Sequence, residues 1–305
     1  MVLGIGPGDE VITTPLTFVC TATCAVALGA KIVFADIDPG TLCLDPAKAR
    51  AKITPRTKAI IPVHFAGHAA DIDGFEDITR DTGIPVIYDA AHVLGLIAGG
   101  HFQDPLAEGA DVVVSSTHKT FAGPQGGLIL TNDRERAQAI GPALSPLIAS
   151  NHHLGRLPAL AATFWEWQTY GDAHAKAIVA NAKALGRALD ERGIRLLGAE
   201  LDFTESHTLI LAVSEFGESQ AVADRLESCG IIAGAAAVPD ELGGHGLRMG
   251  VQELTRTGMT PEDAAEIAAC IAAALQGEDP DQLKAHAKTL AGRFRDMRFT
   301  VAPGT

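Results

Sequence analysis

The sequence is short of positive charge. Its 305 residues include 24 Lys or Arg against 37 Asp or Glu, a formal net charge of −13. The attraction that draws proteins to a phosphate backbone therefore has the wrong sign, and nucleic acid is not an expected partner. Cysteine is also sparse. Cys20, Cys24, Cys43, Cys229 and Cys270 are scattered, odd in number and set in apolar runs. They read as buried small hydrophobes in a reducing compartment, not as a disulfide framework. Cys20 and Cys24 lie four apart, but no second pair with ligand spacing follows, so no metal is expected. No stretch approaches the roughly 18 uninterrupted apolar residues of a membrane span. The opening, Met1 to Glu10, has no basic region followed by a long apolar run, so no signal peptide is expected. A cytoplasmic protein away from membranes is the expectation. Internal repeats and low-complexity segments are missing as well.

The 47% hydrophobic and 20% charged residues are those of a chain that buries a core, which excludes disorder and collagen-like repeats. In the first half a short β-branched run, a turn and a helical or loop segment recur. Strand-like runs are Glu10–Thr13, Lys31–Ile37, Lys58–His64, Pro85–Asp89, Asp111–Ser115 and Gly127–Thr131. Several are nearly continuous in Val and Ile, as strands buried on both faces of a parallel sheet must be. Between them lie helix-compatible stretches at Thr21–Gly29, Asp45–Ile53 and Asp71–Asp81, the second opened by an Asp-Pro cap. This alternation predicts an α/β fold with a mostly parallel sheet over residues 1–150. Residues 151–192 read as two helices with a break near Gly171-Asp172. Residues 193–276 read as a smaller α+β domain with strands at Thr208–Val213, Ile231–Ile232 and Leu247–Val251. Its last helix opens at Thr260-Pro261. Residues 277–305 read as a linker and a basic amphipathic helix.

Ligands of open α/β sheets collect beyond the carboxyl ends of the strands. There the sequence places Asp89-Ala90-Ala91-His92 after one strand, and Ser115-Ser116-Thr117-His118-Lys119-Thr120 after another. A lysine whose pKa is lowered by burial forms Schiff bases readily. A carboxylate held against a pyridine nitrogen keeps that nitrogen protonated and makes the ring an electron sink. Pyridoxal phosphate needs both partners. By spacing alone, a strand-end Asp is usually a helix cap and a loop Lys is usually solvated.

The local words are more specific. Val86-Ile87-Tyr88-Asp89-Ala90-Ala91-His92-Val93-Leu94-Gly95, followed by Ser115-Ser116-Thr117-His118-Lys119-Thr120-Phe121-Ala122-Gly123-Pro124-Gln125-Gly126-Gly127, closely resembles serine hydroxymethyltransferase. Thr204-Glu205-Ser206-His207-Thr208 and Leu247-Arg248-Met249-Gly250-Val251 resemble its small-domain motifs, in the right order. The opening, Gly4-Ile5-Gly6-Pro7-Gly8-Asp9-Glu10-Val11-Ile12, and the run Ile53 to His64 look more like DegT-type aminotransferases that act on nucleotide sugars. Both families are fold-type-I pyridoxal-phosphate enzymes.

The resemblance implies that Lys119 carries the cofactor and later shuttles a proton. Asp89 would pair with the pyridine nitrogen, and His92 would sit near the ring oxygen or orient Asp89. Phe18 falls where such enzymes stack a ring on the cofactor, although a plain core Phe is the competing reading. Ser116 would donate to the phosphate, His118 would neighbour the lysine, and His64 is a substrate-side candidate. Arg248 would fork onto the α-carboxylate of an amino-acid substrate, a pairing Lys cannot reproduce. Gln125 departs from the family, which has an arginine there. The chain also begins where the superfamily has already spent several dozen residues, so the expectation is either an incomplete chain or cofactor binding weaker than in the family.

Three functions follow from these residues. The first is aldol or retro-aldol chemistry between glycine and a β-hydroxy amino acid. The second is DegT-type amino transfer. The third is a non-catalytic binding subunit. A homodimer is expected, because fold-type-I sites are usually built at a dimer interface.

Overall fold

The computed structural model describes residues 1–64, 67–151 and 153–301. The chain divides into two compact units, Met1–Gln168 and Thr169–Thr305. Among the described residues no helix is long and apolar enough to cross a membrane.

In the first unit the order is β1 (Glu10–Thr13), α1 (Cys20–Val26), β2 (Lys31–Phe34), α2 (Pro46–Arg50), β3 (Thr57–Ile60), α3 (Ile72–Thr82), β4 (Ile87–Asp89), α4 (Leu94–Ala98), β5 (Val112–Ser116), β6 (Gly127–Leu130) and α5 (Arg134–Leu144). Helix α6 (Arg156–Asp190) follows, and the division between the units falls within it. Strand β1 pairs in parallel with β2 and β3. Strand β4 pairs in parallel with β5, and β6 closes that side antiparallel. Parallel bridges Ile60–Val86 and Val63–Asp89 join the two halves. The order is therefore β2-β1-β3-β4-β5-β6, mostly parallel as the Val- and Ile-rich runs predict. It turns back on itself between β1 and β3, where open α/β sheets place their ligand crevice.

Local chemistry fixes the element ends. Asp45 caps α2 by accepting from Ala47 N–H (2.7 Å), with Pro46 in the first helical position. Asp71 caps α3 through Gly74 N–H (3.0 Å), and Gly83 ends that helix at φ 72°. Ile72, Phe75 and Ile78 make the buried stripe of α3. At the opposite edge from the ligand crevice, Glu10 is a buried carboxylate. It accepts from Thr54 Oγ1 (2.6 Å) and Arg56 Nη2 (2.8 Å), and these bonds lower its pKa to about 2.

The second unit carries β7 (Thr208–Ala212), α7 (Ser219–Ser228), β8 (Gly234–Ala237), β9 (His245–Gly250), α8 (Gln252–Arg256), α9 (Ala264–Leu275) and α10 (Pro280–Ala291). Strand β9 lies between β7 and β8, antiparallel to both.

Three expectations are corrected. No break occurs at Gly171-Asp172, because α6 runs unbroken for 35 residues. One helical glycine costs only about 1 kcal/mol against alanine, and beyond it Ala175, Ile178, Ala182, Leu185 and Leu189 are all buried at alternating spacings of three and four. The strand expected at Ile231–Ile232 begins instead at Gly234, and Ile232 is 88% exposed. Register with β9, not β-branched propensity, selects the edge strand. Cys20 and Cys24 are exposed, because α1 buries the neighbouring stripe of Thr21 and Ala25.

Candidate active site

The carboxyl ends of β1, β3, β4 and β5 converge on one edge of the first unit, and chemistry-bearing residues stand there. Asp89 is the last residue of β4. Its Oδ1 accepts from Ala91 N–H (3.0 Å) and its Oδ2 from Thr21 Oγ1 (3.4 Å). Burial pushes the Asp89 carboxyl up, against the opposing pull of Ala91 N–H, the Lys119 ammonium and the Thr21 hydroxyl. Asp89 and Lys119 thus share one electrostatic environment.

Lys119 lies on a turn after β5 that is tied internally. Ala122 N–H donates to Lys119 O (2.9 Å), Gly123 N–H to Thr117 O (2.8 Å), and Thr117 Oγ1 to Pro124 O (2.6 Å). Ala122 sits at φ 55°, a left-handed backbone that costs a residue with a Cβ about 1–2 kcal/mol. Thr120 Oγ1 donates to His92 O (2.7 Å) and accepts from Gly95 N–H (3.2 Å). That one hydroxyl joins the lysine turn to the loop after Asp89. Sequence reading missed Thr21, Gly95 and Thr120. Strand order could have found Thr21, which opens the segment after β1. Nothing local marks Thr120 or Gly95.

The other candidates are placed as follows. His92 is half-buried at the Thr120 tie. Ser116 is half-buried at the end of β5, opposite Gly127. His118 is exposed beside Lys119, and the Phe18 ring is 69% exposed ahead of α1. His64 is 2% exposed and packs on Tyr88, with ring centroids 4.3 Å apart. Its Nδ1 accepts from Ala70 N–H (3.1 Å), and burial lowers its pKa to about 4, so the ring is neutral. Its Nε2 has no hydrogen-bond partner among the described residues. Arg248 belongs to the second unit, in the middle of β9, where it pairs in register with Ile210 and Gly234. Burial lowers the pKa of its guanidinium.

Comparison with known proteins gives this arrangement a lineage. The serine hydroxymethyltransferase of Thermoplasma acidophilum is 39% identical over 312 aligned positions, covering 96% of this chain and 72% of that one. The chain belongs to the serine hydroxymethyltransferase family. The enzyme of the same name from Methanopyrus kandleri is 44% identical over 225 positions, covering 72% of this chain and 52% of its own. The chain thus spans between about half and three-quarters of the length of these curated relatives. A family model for the DegT/DnrJ/EryC1/StrS aminotransferases matches residues 1–148. The L-threonine transaldolase from Pseudomonas fluorescens superposes with a TM-score of 0.90 at 28% identity, over 98% of this chain and 71% of that one. These relatives share the pyridoxal-phosphate fold-type-I architecture and make this chain one of that class.

The residues fit the cofactor that this class of enzymes uses. Asp89 is a half-buried carboxylate whose pKa is raised by desolvation, and a pyridinium N–H would give it a further positive partner. Lys119, on the turn after the neighbouring strand β5, would supply the amine, and Ser116, the last residue of that strand, a hydroxyl.

Proposed function

We propose that the chain catalyses aldol and retro-aldol transfer of a hydroxymethyl or aldehyde unit between glycine and a β-hydroxy amino acid. The observation carrying this reading is the placement of Asp89 at the end of β4 and of Lys119 on the turn after the adjacent strand β5, a half-buried carboxylate within the field of the lysine ammonium. When bound, pyridoxal phosphate would supply an electron sink for the carbanion left at Cα. Lys119 Nζ would hold the cofactor and would move a proton at the substrate Cα. Asp89 would keep a proton on the pyridine nitrogen. His92, tied to the lysine turn through Thr120, fixes the loop that presents Asp89. Ser116 would donate to the phosphate, His118 would neighbour the lysine, and Phe18 would stack on the ring. Arg248, on β9 of the second unit, is the residue this reading assigns to the substrate carboxylate. His64, buried against Tyr88 and neutral, is the weaker substrate-side candidate.

Titrating the protein with pyridoxal phosphate, beside Lys119→Ala, tests this. The wild type is expected to develop a visible absorption band that glycine or L-serine perturbs, and the variant to show none. A wild type without a band at high cofactor concentration would refute the reading. The match of residues 1–148 to aminotransferases favours a second reading, amino transfer. That reaction would leave the cofactor in its amine form after one turnover without a keto acid, whereas aldol chemistry would not.

The protein works as a homodimer in the cytoplasm. Leu147, Ile148, Leu154, Leu157 and Trp165 are all at least half exposed and crowd one stretch of sequence between α5 and the start of α6, and concentrated exposed apolar surface marks an interface. Light scattering is expected to give twice the 31.7 kDa of one chain. A monomer at every concentration would count against it.

A further inference from the structure

We infer that Trp167 is a positioning residue, one that holds the lysine turn in its left-handed form and so sets where Lys119 Nζ stands. This rests on the reading of Lys119 as the amine that bonds the cofactor.

The Phe121–Ala122 peptide is the weak point of the turn. With Ala122 at φ 55°, rotating that peptide plane by half a turn would carry Ala122 to a relaxed negative φ. The same rotation would break the bond from Ala122 N–H to Lys119 O (2.9 Å) and release the residues on either side. Phe121 O is the atom that must swing. It accepts from Trp167 Nε1–H at 2.7 Å.

The indole cannot slide away from this bond. It is 7% exposed and stacks on the Phe121 ring, with centroids 5.5 Å apart and planes 6° from parallel. Phe164 also packs on Phe121, with ring centroids 5.3 Å apart and planes at 66°. Beneath, Gly95 leaves room for both the indole and the turn, since a Cβ there would lie 2.7 Å from Trp167 Cζ2 and 2.4 Å from Thr120 O. A tryptophan that merely fills a core needs some acceptor for its N–H. Here the acceptor is the carbonyl of the strained peptide, two residues from Lys119.

The decisive experiment needs no cofactor in its first arm. Amide hydrogen exchange at Ala122 and Gly123 is measured in cofactor-free wild type, W167F, A122G and W167F/A122G, with W165F as an exposed control. W167F is expected to speed exchange at those two amides about tenfold, as loss of one buried hydrogen bond implies, while peptides elsewhere in the unit keep their rates. Glycine adopts the left-handed conformation without strain, so A122G in the W167F background restores slow exchange. In the second arm, W167F shifts the pH at which the visible band of lysine-bound cofactor titrates, and A122G moves it back. In the wild type, the Trp167 indole N–H exchanges no faster than the Ala122 amide, which checks the clamp without any substitution.

Unchanged exchange in W167F, a uniform rise across the whole unit, failure of A122G to rescue, or an indole N–H that exchanges faster than the turn would each overturn the inference. The loss of all cofactor binding in wild type, with the exchange pattern intact, would instead refute the assigned role of Lys119 and leave the clamp standing.

Discussion

Asp89→Asn is expected to make the cofactor-free protein more stable at neutral pH and the loaded protein slower by about 10²–10³ in kcat, the usual effect of removing one preorganised electrostatic partner. Both effects come from the same carboxyl. Burial raises its pKa in the folded chain, so the folded state binds more protons than the unfolded state once pH exceeds the ordinary Asp range. Stability contributed at this position is therefore full at low pH and declines as pH rises through the unfolded and then the folded pKa. Asparagine is never ionised, so its advantage should be present at pH 7 and vanish at acid pH. Its amide oxygen can still accept from Ala91 N–H, and the Thr21 hydroxyl can turn to accept from the new NH₂. In the loaded enzyme the change acts the other way, because an amide cannot hold a proton on the pyridine nitrogen as an anion does. Thermal unfolding between pH 4 and pH 8 without cofactor, set beside the rate of cleavage of a β-hydroxy amino acid, reads both effects. A variant less stable at pH 7, or one with undiminished turnover, would remove Asp89 from its assigned place.

This opposition explains why part of the site is legible in the sequence and part is not. The Val-rich run that becomes β5, and the Asp-Pro start of α2, depend on burial and capping rules that act over a few residues. Asp89 and Lys119 stand out because one ends a strand, the other follows one, and each belongs to a motif. The groups that hold them in place carry no such mark. Trp167 reaches Phe121 across 46 residues, and Thr21 reaches Asp89 across 68. Those contacts exist only once the sheet order β2-β1-β3-β4-β5-β6 has formed. The continuity of α6 through Gly171 is hidden for the same reason, since the buried stripe from Ala175 to Leu189, not local propensity, decides it.

Gly95→Ala puts that packing to its most severe test. Gly95 is the second residue of α4, a position where alanine would ordinarily favour the helix. Its backbone angles do not call for glycine, so the reason lies in the neighbours. A Cβ would stand 2.4 Å from Thr120 O, 2.6 Å from Thr120 C and 2.7 Å from Trp167 Cζ2. Two of these are backbone atoms of the lysine turn, and the third belongs to the buried indole, so no flexible side chain can give way. The added methyl must push the turn from α4, stretching the bonds of Thr120 Oγ1 to Gly95 N–H and His92 O. Overpacking of this kind costs typically 1–3 kcal/mol, occasionally more, which corresponds to a fall of roughly 2–4 °C in Tm per kcal/mol for a domain of this size. The loss in function should exceed the loss in stability, because the displaced segment carries Lys119 and an error of about 1 Å in a reacting group can cost a hundredfold in rate. G95A should therefore fold with a lowered Tm and bind pyridoxal phosphate far more weakly than wild type. Gly141→Ala, inside α5 where a Cβ meets nothing within 4 Å, should leave cofactor binding unchanged and raise Tm slightly, as alanine replacing a helical glycine does. Equal cofactor affinity in G95A and G141A would show that the lysine turn tolerates displacement, and that its position is set by something other than the contact with α4.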